Sequence, residues 1–153
     1  MKPFFVLLLT FIIGYFANRL LDNEADPASA GCIAMAVMLV FTSIAHFKFL
    51  KGMTMMVPSF IPFKKEMVII TGLIEIAAAV GLCILSMRQV TSILLIIFFI
   101  GMLPANINAA VKHVDYEKGT LNGKSVTYLW FRVPLQIFFI AWVWYFGIFL
   151  VQH

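Results

Sequence analysis

Long apolar stretches alternate with short polar ones along the whole chain, and this pattern predicts membrane-spanning helices. A transmembrane helix needs about 20 predominantly apolar residues, and five stretches approach or reach that length. Within each stretch the apolar residues run continuously instead of occupying every second position, which excludes a transmembrane β-barrel. The predicted fold is therefore all-α, a polytopic bundle of transmembrane helices. The five predicted spans cover residues 3–18, 28–49, 66–87, 90–111 and 127–150.

The first apolar stretch is short for a span and has two interpretations. Lys2, the apolar run and the small-residue triplet at 28–30 together resemble a signal peptide with its cleavage site. The mostly polar residues 18–27 separate the run from that triplet, which favours a retained helix. We therefore divide the chain into residues 1–27, an N-terminal transmembrane helix with an acidic loop, and residues 28–153, a four-helix membrane domain.

The connection between the second and third spans, residues 48–65, combines four lysines with several large apolar side chains. Pro58 and Pro62 prevent this segment from forming a regular helix, because proline lacks the N–H group that helical hydrogen bonding needs. We expect this segment to lie at the membrane interface or to dip into the membrane.

Composition agrees with a membrane protein and removes other classes. Of the 153 residues, 63% are hydrophobic and 12% are charged, whereas soluble domains are about 45–50% apolar and about 25% charged. The formal net charge is +4, but no basic groove with aromatic residues and no nucleic-acid-binding motif accompanies it. The predicted partner is the lipid bilayer, and no nucleic-acid partner is predicted.

Cys32 and Cys83 are too few for a disulfide framework or a zinc site. Both are near the ends of their spans on the same predicted side, so a disulfide between them is geometrically conceivable. Buried free thiols are the more common arrangement. No metal site is predicted.

Charge counting gives an orientation. Five spans place eight lysines on one side and only Arg19 and Arg88 on the other. Because lysine and arginine accumulate on the cytoplasmic side, the pattern predicts an inner-membrane, multi-pass protein with a cytoplasmic N-terminus and an external C-terminus. The eight lysines are Lys2, Lys48, Lys51, Lys64, Lys65, Lys112, Lys118 and Lys124.

Glu75 stands near the middle of the third span, where a carboxylate is costly. Insertion scales put that cost at roughly 2.5–3.5 kcal/mol, so such a group normally faces protein or trapped water. Four other polar side chains, on three other spans, fall at a similar depth in the cytoplasmic half. They are His46, Asn106, Arg132 and Gln136.

This agreement in depth predicts one inward-facing cluster. In it Arg132 or His46 pairs with Glu75, and Asn106 and Gln136 complete the hydrogen bonds. Structural alternatives remain open for every member. The carboxyl could be protonated and bonded to a carbonyl, the arginine could extend to lipid phosphates, the histidine could be interfacial, and the two amides could simply join helices.

Five motifs of this chain resemble the DoxX-like family of small membrane proteins. The resemblance covers roughly residues 28–146, and it implies a core of four transmembrane helices to which this chain adds one N-terminal helix. The motifs are SIAHF at 43–47, MVPSFIPFKKE at 56–66, TGLIEIAAAVGL at 71–82, LPANINAA at 103–110 and RVPLQIFFIAWVWY at 132–145. The family's motif positions correspond to His46, Glu75, Pro104, Asn106, Arg132, Pro134 and Gln136.

The resemblance implies a link to quinone-dependent redox complexes and to thiol or quinone stress. We therefore expect a small or accessory membrane subunit whose polar pocket binds the head group of a quinone or lipid. His46 is the only histidine inside a predicted span, which excludes bis-histidine haem ligation within one chain. Redox chemistry would require the quinone itself or a redox partner subunit, and a homo-oligomer is left open.

Two other functions remain. The chain could be a non-catalytic assembly or scaffold protein whose polar cluster holds the bundle together. It could also be a small proton-coupled transporter that uses Glu75 as the carrier, although the outer halves of the spans offer few polar groups.

Overall fold

The structure, a computed structural model, describes residues 2–22, 26–123 and 129–152. Among these residues, every element of secondary structure longer than an isolated β-bridge is a helix. An isolated β-bridge joins Asp115 to Thr120. The helices are α1 (Lys2–Asp22), α2 (Pro27–Lys48), α3 (Leu50–Met56), α4 (Lys64–Cys83), α5 (Arg88–Val111) and α6 (Leu129–Trp144), followed by a π-helical turn (Tyr145–Phe149) and α7 (Leu150–Gln152).

Five of the described helices are long and apolar enough to cross a membrane, which confirms the all-helical, multi-span prediction. These candidate spans are Lys2–Leu20, Pro27–Lys48, Lys64–Cys83, Arg88–Val111 and Leu129–Phe149. The large side chains on their outer surfaces are apolar, as lipid contact requires. The predicted start of the last span, at residue 127, lies outside the described residues.

The third span ends at Cys83, four residues before the predicted end. A turn follows, in which the Ile84 N–H donates to Gly81 O. The guanidinium of Arg88 supports this early end, because its Nε donates to the Leu82 carbonyl over 3.2 Å. A hydrogen bond from a side chain to the backbone, of this kind, is not visible in a hydrophobic pattern.

The connection between α2 and α4 is more regular than predicted. Residues Leu50–Met56 form helix α3, because the restriction that Pro58 imposes begins only at the preceding residue. Val57 is accordingly extended. Beyond it, Phe60 and Phe63 are 80% and 76% exposed, so the second half of the connection is the irregular segment that the prolines predicted.

Helix α2 is the central element of the bundle, and it packs against both α1 and α4. Its small residues permit close approach. A Cβ on Gly31 would overlap the ring of Phe146, and the Trp142 indole donates to the Gly31 carbonyl over 3.1 Å. Trp142 therefore joins the last span to α2.

Contacts between loops show which ends of the helices lie together. Lys2 Nζ lies 2.8 Å from Glu117 Oε1, which places the start of α1 beside the loop that follows α5. We call this the lysine-rich end. At the opposite end, Arg88 donates to the Ser29 hydroxyl over 3.3 Å. Successive connections therefore lie at alternate ends of the bundle, as they must when five helices each cross the membrane once. Which end faces the cytoplasm stays a prediction.

Asp26 begins α2 and makes that start sensitive to pH. Burial alone would raise the pKa of its carboxyl, but hydrogen bonds from Ser29 and Ala28 and the charge of Arg88 outweigh burial and lower the pKa. A carboxyl with a lowered pKa stabilises the fold above its unfolded value, about 3.9, and this contribution disappears as the pH falls through the folded value.

We therefore expect acidification below about pH 4 to loosen the start of α2, and Asp26→Asn to remove that part of the pH dependence. Asparagine keeps the side-chain oxygen that accepts from the Ala28 N–H over 2.9 Å. Amide hydrogen exchange at residues 28–31, measured for both proteins at several pH values, tests this. Identical pH profiles for the two proteins would contradict it.

Candidate functional site

Glu75 lies on the buried face of α4, as its cost in a membrane predicts. The face repeats at intervals of three and four residues, the spacing of one side of an α-helix. It consists of Val68, Gly72, Glu75, Ala79 and Leu82, and Glu75 itself is 6% exposed. A Cβ on Gly72 would lie 3.0 Å from the Cβ of His46. The glycine therefore lets α2 approach α4 closely one turn before the carboxyl group.

His46 is the partner that the structure gives to Glu75. Its Nε2 lies 3.5 Å from Glu75 Oε1, and its Nδ1 lies 3.2 Å from both the Val68 carbonyl oxygen and the Thr71 hydroxyl. The Thr71 hydroxyl also donates to Val68 O over 2.9 Å. When Nδ1 carries the ring hydrogen and donates it to Val68 O, Nε2 is the ring nitrogen that faces the carboxyl group.

The second oxygen of this carboxyl group has no partner. Among the described residues Glu75 Oε2 is the only buried side-chain nitrogen or oxygen atom without a hydrogen bond. An unpaired buried acceptor costs about 1–3 kcal/mol, so this atom makes the packing of α2 against α4 less stable.

Arg132, Asn106 and Gln136 form a separate chain of hydrogen bonds between α5 and α6. Arg132 Nε donates to Asn106 Oδ1 over 3.0 Å, and Asn106 Nδ2 donates to Gln136 Oε1 over 2.9 Å. Gln136 Nε2 then donates to the Phe99 carbonyl. That carbonyl lies in the turn before Pro104, one residue before the Ile100 carbonyl, which loses its usual helical partner because proline has no N–H. Both amides therefore use their oxygen and nitrogen atoms inside the protein.

The prediction of one cluster around Glu75 is thus wrong in its connections. His46 pairs with Glu75, but no ion pair or hydrogen bond joins Glu75 to Arg132, Asn106 or Gln136, all of which the structure describes. Counting residues along each helix gives the depth of a side chain but not its direction around the bundle, so it could not separate the two groups. Asn108 points away from both, and its Nδ2 donates to Met56 O over 2.7 Å.

A pocket of about 370 Å³ lies at the lysine-rich end, and the second group borders it. Arg132 and Asn106 line the pocket together with α3, the last turn of α5 and the loop 112–123, whereas His46 and Glu75 do not. Its other polar lining residues are Lys2, Asp115, Glu117 and Asn122. Pockets for small ligands typically start at about 300 Å³, so the space is large enough for a head group.

The loop 112–123 forms one wall of this pocket, and backbone hydrogen bonds within the loop and to the end of α5 hold it in place. α5 ends with His113 in a left-handed conformation (φ 53°), with the Val114 N–H bonded to Ala109 O and the His113 N–H bonded to Ala110 O. This is the Schellman pattern of helix ends. The sequence gives little sign of this motif, since glycine and not histidine usually occupies its left-handed position.

Arg88 is a buried charged side chain whose burial the sequence did not indicate. It was counted as a loop charge on the outer side, yet it is 4% exposed, and its bonds to Leu82 and Ser29 tie α4, α5 and α2 together. Its position at a predicted turn gave no signal of burial. It lies at the end opposite the pocket.

The cysteines are both free thiols. Cys32 is buried and its Sγ lies 3.5 Å from Phe146 O, whereas Cys83 is exposed. The conceivable disulfide is therefore absent. Among the described residues, no three His, Cys, Asp or Glu side chains come together in a group that could hold a metal ion.

Comparison with known families gives one match. A family model described as a domain of unknown function (DUF8561) matches residues 35–147, well over half of the chain. The chain belongs to this family. No curated protein and no solved structure matches it.

The DUF8561 match includes all five candidate residues, from His46 to Gln136, and the whole loop that closes the pocket. It begins within α2 and so leaves out α1. The DUF8561 description names no activity, ligand or partner.

Proposed function

We propose that this DUF8561 protein binds the polar head of a quinone-like molecule or another amphipathic lipid at its lysine-rich end. The observation that carries the proposal is the pocket of about 370 Å³ between α5, α6 and the loop 112–123, with Arg132 and Asn106 in its wall. Its role is that of a small or accessory membrane subunit in quinone-linked or redox-linked membrane metabolism, and a redox partner subunit would supply any electron transfer.

Arg132 is the residue that favours a ligand over a purely structural role. Asn106 accepts from its Nε, and this bond orients the guanidinium beside the pocket. Guanidinium groups donate several hydrogen bonds in a fixed plane, which suits carbonyl and phosphate oxygens. Placed near a head group, Arg132 would donate to those oxygens while Asn106 keeps it oriented.

The proposed architecture is a DoxX-like core of four helices, α2, α4, α5 and α6, with α1 added at the N-terminus. The DUF8561 match supports it, because residues 35–147 include α4, α5, α6 and most of α2 and exclude α1. The proposed location is the inner membrane with the lysine-rich end in the cytoplasm, supported by the excess of lysines at that end.

A scaffold function is the second candidate, and one observation favours it. Asn106 and Gln136 satisfy one another and the backbone of α5, so both amides already serve helix association. A scaffold would keep its melting temperature unchanged in the presence of any ligand, whereas a ligand that binds only the folded state raises it.

Mass spectrometry of lipids and quinones that copurify with the protein tests the proposed function. We expect a bound amphiphile in the wild type, and a loss of about tenfold in its affinity in Arg132→Gln, since a hydrogen bond to a charged group contributes about 1.5–3 kcal/mol. Arg19→Gln is the matched control, because Arg19 is exposed near the opposite end of α1. No copurifying amphiphile, or equal binding by both variants, would contradict the proposal.

A further inference from the structure

The charges around the pocket distinguish among its potential ligands. Two cationic side chains, Lys2 and Arg132, and two carboxylates, Asp115 and Glu117, line it. The formal charges of these four groups sum to zero. Lys2 and Glu117 contact each other at 2.8 Å, but no ion pair joins Arg132 to Asp115 or Glu117, although the structure describes all three residues. The pocket therefore separates a guanidinium from carboxylates.

We propose that the pocket takes the head group of a zwitterionic aminophospholipid, with phosphate at Arg132 and ammonium at Asp115 and Glu117. This inference rests on the proposed function and specifies the ligand class of the same site. A phosphate and a primary ammonium a few atoms apart reproduce the opposite signs that the walls present. Charge-assisted hydrogen bonds of both kinds are roughly twice as strong as neutral ones.

Other head groups leave part of this wall unmatched. A quinone has only carbonyl oxygens, so both carboxylates would face an acceptor. A glycerol phosphate head satisfies Arg132 and has hydroxyl donors, but it brings no positive charge to the carboxylates. A choline head has the right charges, yet its quaternary ammonium has no N–H to donate. Of these heads, only ethanolamine offers the carboxylates a positively charged N–H donor.

The carboxylates are positioned for this role by the loop itself. Asp115 Oδ1 accepts from the N–H groups of Glu117 and Lys118 at 3.1 and 3.2 Å, so the side chain is held in place while its charge remains. Glu117 is held by Lys2, and that contact keeps the pKa of its carboxyl below the usual range through a hydrogen bond. The Glu117 carboxylate therefore stays ionised at neutral pH.

Native mass spectrometry of the full-length protein with defined lipids tests the inference. The probes are phosphatidylethanolamine, phosphatidylcholine and phosphatidylglycerol with identical chains, and a ubiquinone. We expect phosphatidylethanolamine to bind about fivefold more tightly than phosphatidylcholine, the ratio that about 1 kcal/mol of charge-assisted bonding at a partly exposed site would give.

Variants assign the effect to the carboxylates. The double variant Asp115→Asn/Glu117→Gln should remove the preference for ethanolamine over choline, and asparagine keeps the oxygen that holds the loop. Glu66→Gln is the control, because Glu66 is an exposed carboxylate that does not line the pocket. It should leave the preference unchanged.

The outcomes separate the two proposals. Equal binding of ethanolamine and choline lipids, tighter binding of phosphatidylglycerol, or binding of ubiquinone alone would overturn the zwitterion inference and leave a head-group site in place. Binding of none of the four probes would overturn the proposed function as well.

Discussion

His46→Leu should lower the free energy of unfolding by about 3–5 kcal/mol, the usual cost of removing one partner from a buried pair of ionisable groups. The Glu75 carboxyl group would then lose the one polar side chain that contacts it among the described residues, since Oε1 contacts His46 Nε2 at 3.5 Å and Oε2 already has no partner. Reversible unfolding in lipid bicelles measures this change.

The double variant His46→Leu/Glu75→Leu is the decisive comparison. Replacing both members of a buried pair by apolar residues is often neutral or stabilising, and here it also removes the unpaired Oε2. We expect the double variant to be more stable than His46→Leu by several kcal/mol. A double variant as unstable as the single one would show that helix packing at this position, and not the buried carboxyl group, determines the loss.

This pair also separates structural from ligand-binding roles. Neither His46 nor Glu75 lines the pocket, so the double variant should retain its bound amphiphile. Arg132→Gln should behave in the opposite way, with weaker binding of the amphiphile. The two polar groups are therefore distinguishable in solution, although the sequence predicts a similar depth for them.

The helices of this protein are largely predictable from sequence, and the reason is the solvent. In a bilayer every backbone N–H and C=O must be bonded within its own segment, so a long apolar run has one available conformation. The inward direction of Glu75 followed from the same physics, because a carboxylate facing lipid is too costly. The described helix boundaries differ from the predicted ones by a few residues, where a cap such as Arg88 decides the end.

The connections among the polar groups were not predictable in the same way. Depth along a helix follows from counting residues, whereas the angle around the bundle depends on how five helices pack. His46 stands two residues from the end of α2, while Glu75 stands 11 residues from the start of α4, roughly 16 Å at 1.5 Å per residue. Their contact shows that α4 begins well beyond the end of α2. Helix α3 and the loop 112–123 pack together at this end, which no periodic pattern indicated.

Gly52→Ala should disrupt this end of the protein, although alanine is the better helix former by about 1 kcal/mol. Gly52 lies in α3, directly against the backbone of Tyr116 in the loop that closes the pocket. A Cβ at this position would overlap the Tyr116 carbonyl oxygen and lie 2.6 and 2.7 Å from its carbonyl carbon and Cα. Backbone atoms cannot rotate away as a flexible side chain can, so either α3 or the loop must move.

Overpacking of this kind costs about 1–3 kcal/mol or more, which exceeds the gain in helix propensity, and movement of the loop displaces Asp115 and Glu117 from the pocket. We therefore expect Gly52→Ala to lower the melting temperature and to weaken amphiphile binding together. Gly101→Ala is the matched control within α5, because a Cβ there meets no atom within 4 Å, and it should be neutral or stabilising by up to about 1 kcal/mol. Opposite signs for the same chemical change would establish that contact between α3 and the loop holds the pocket together, whereas equal effects of the two substitutions would refute it.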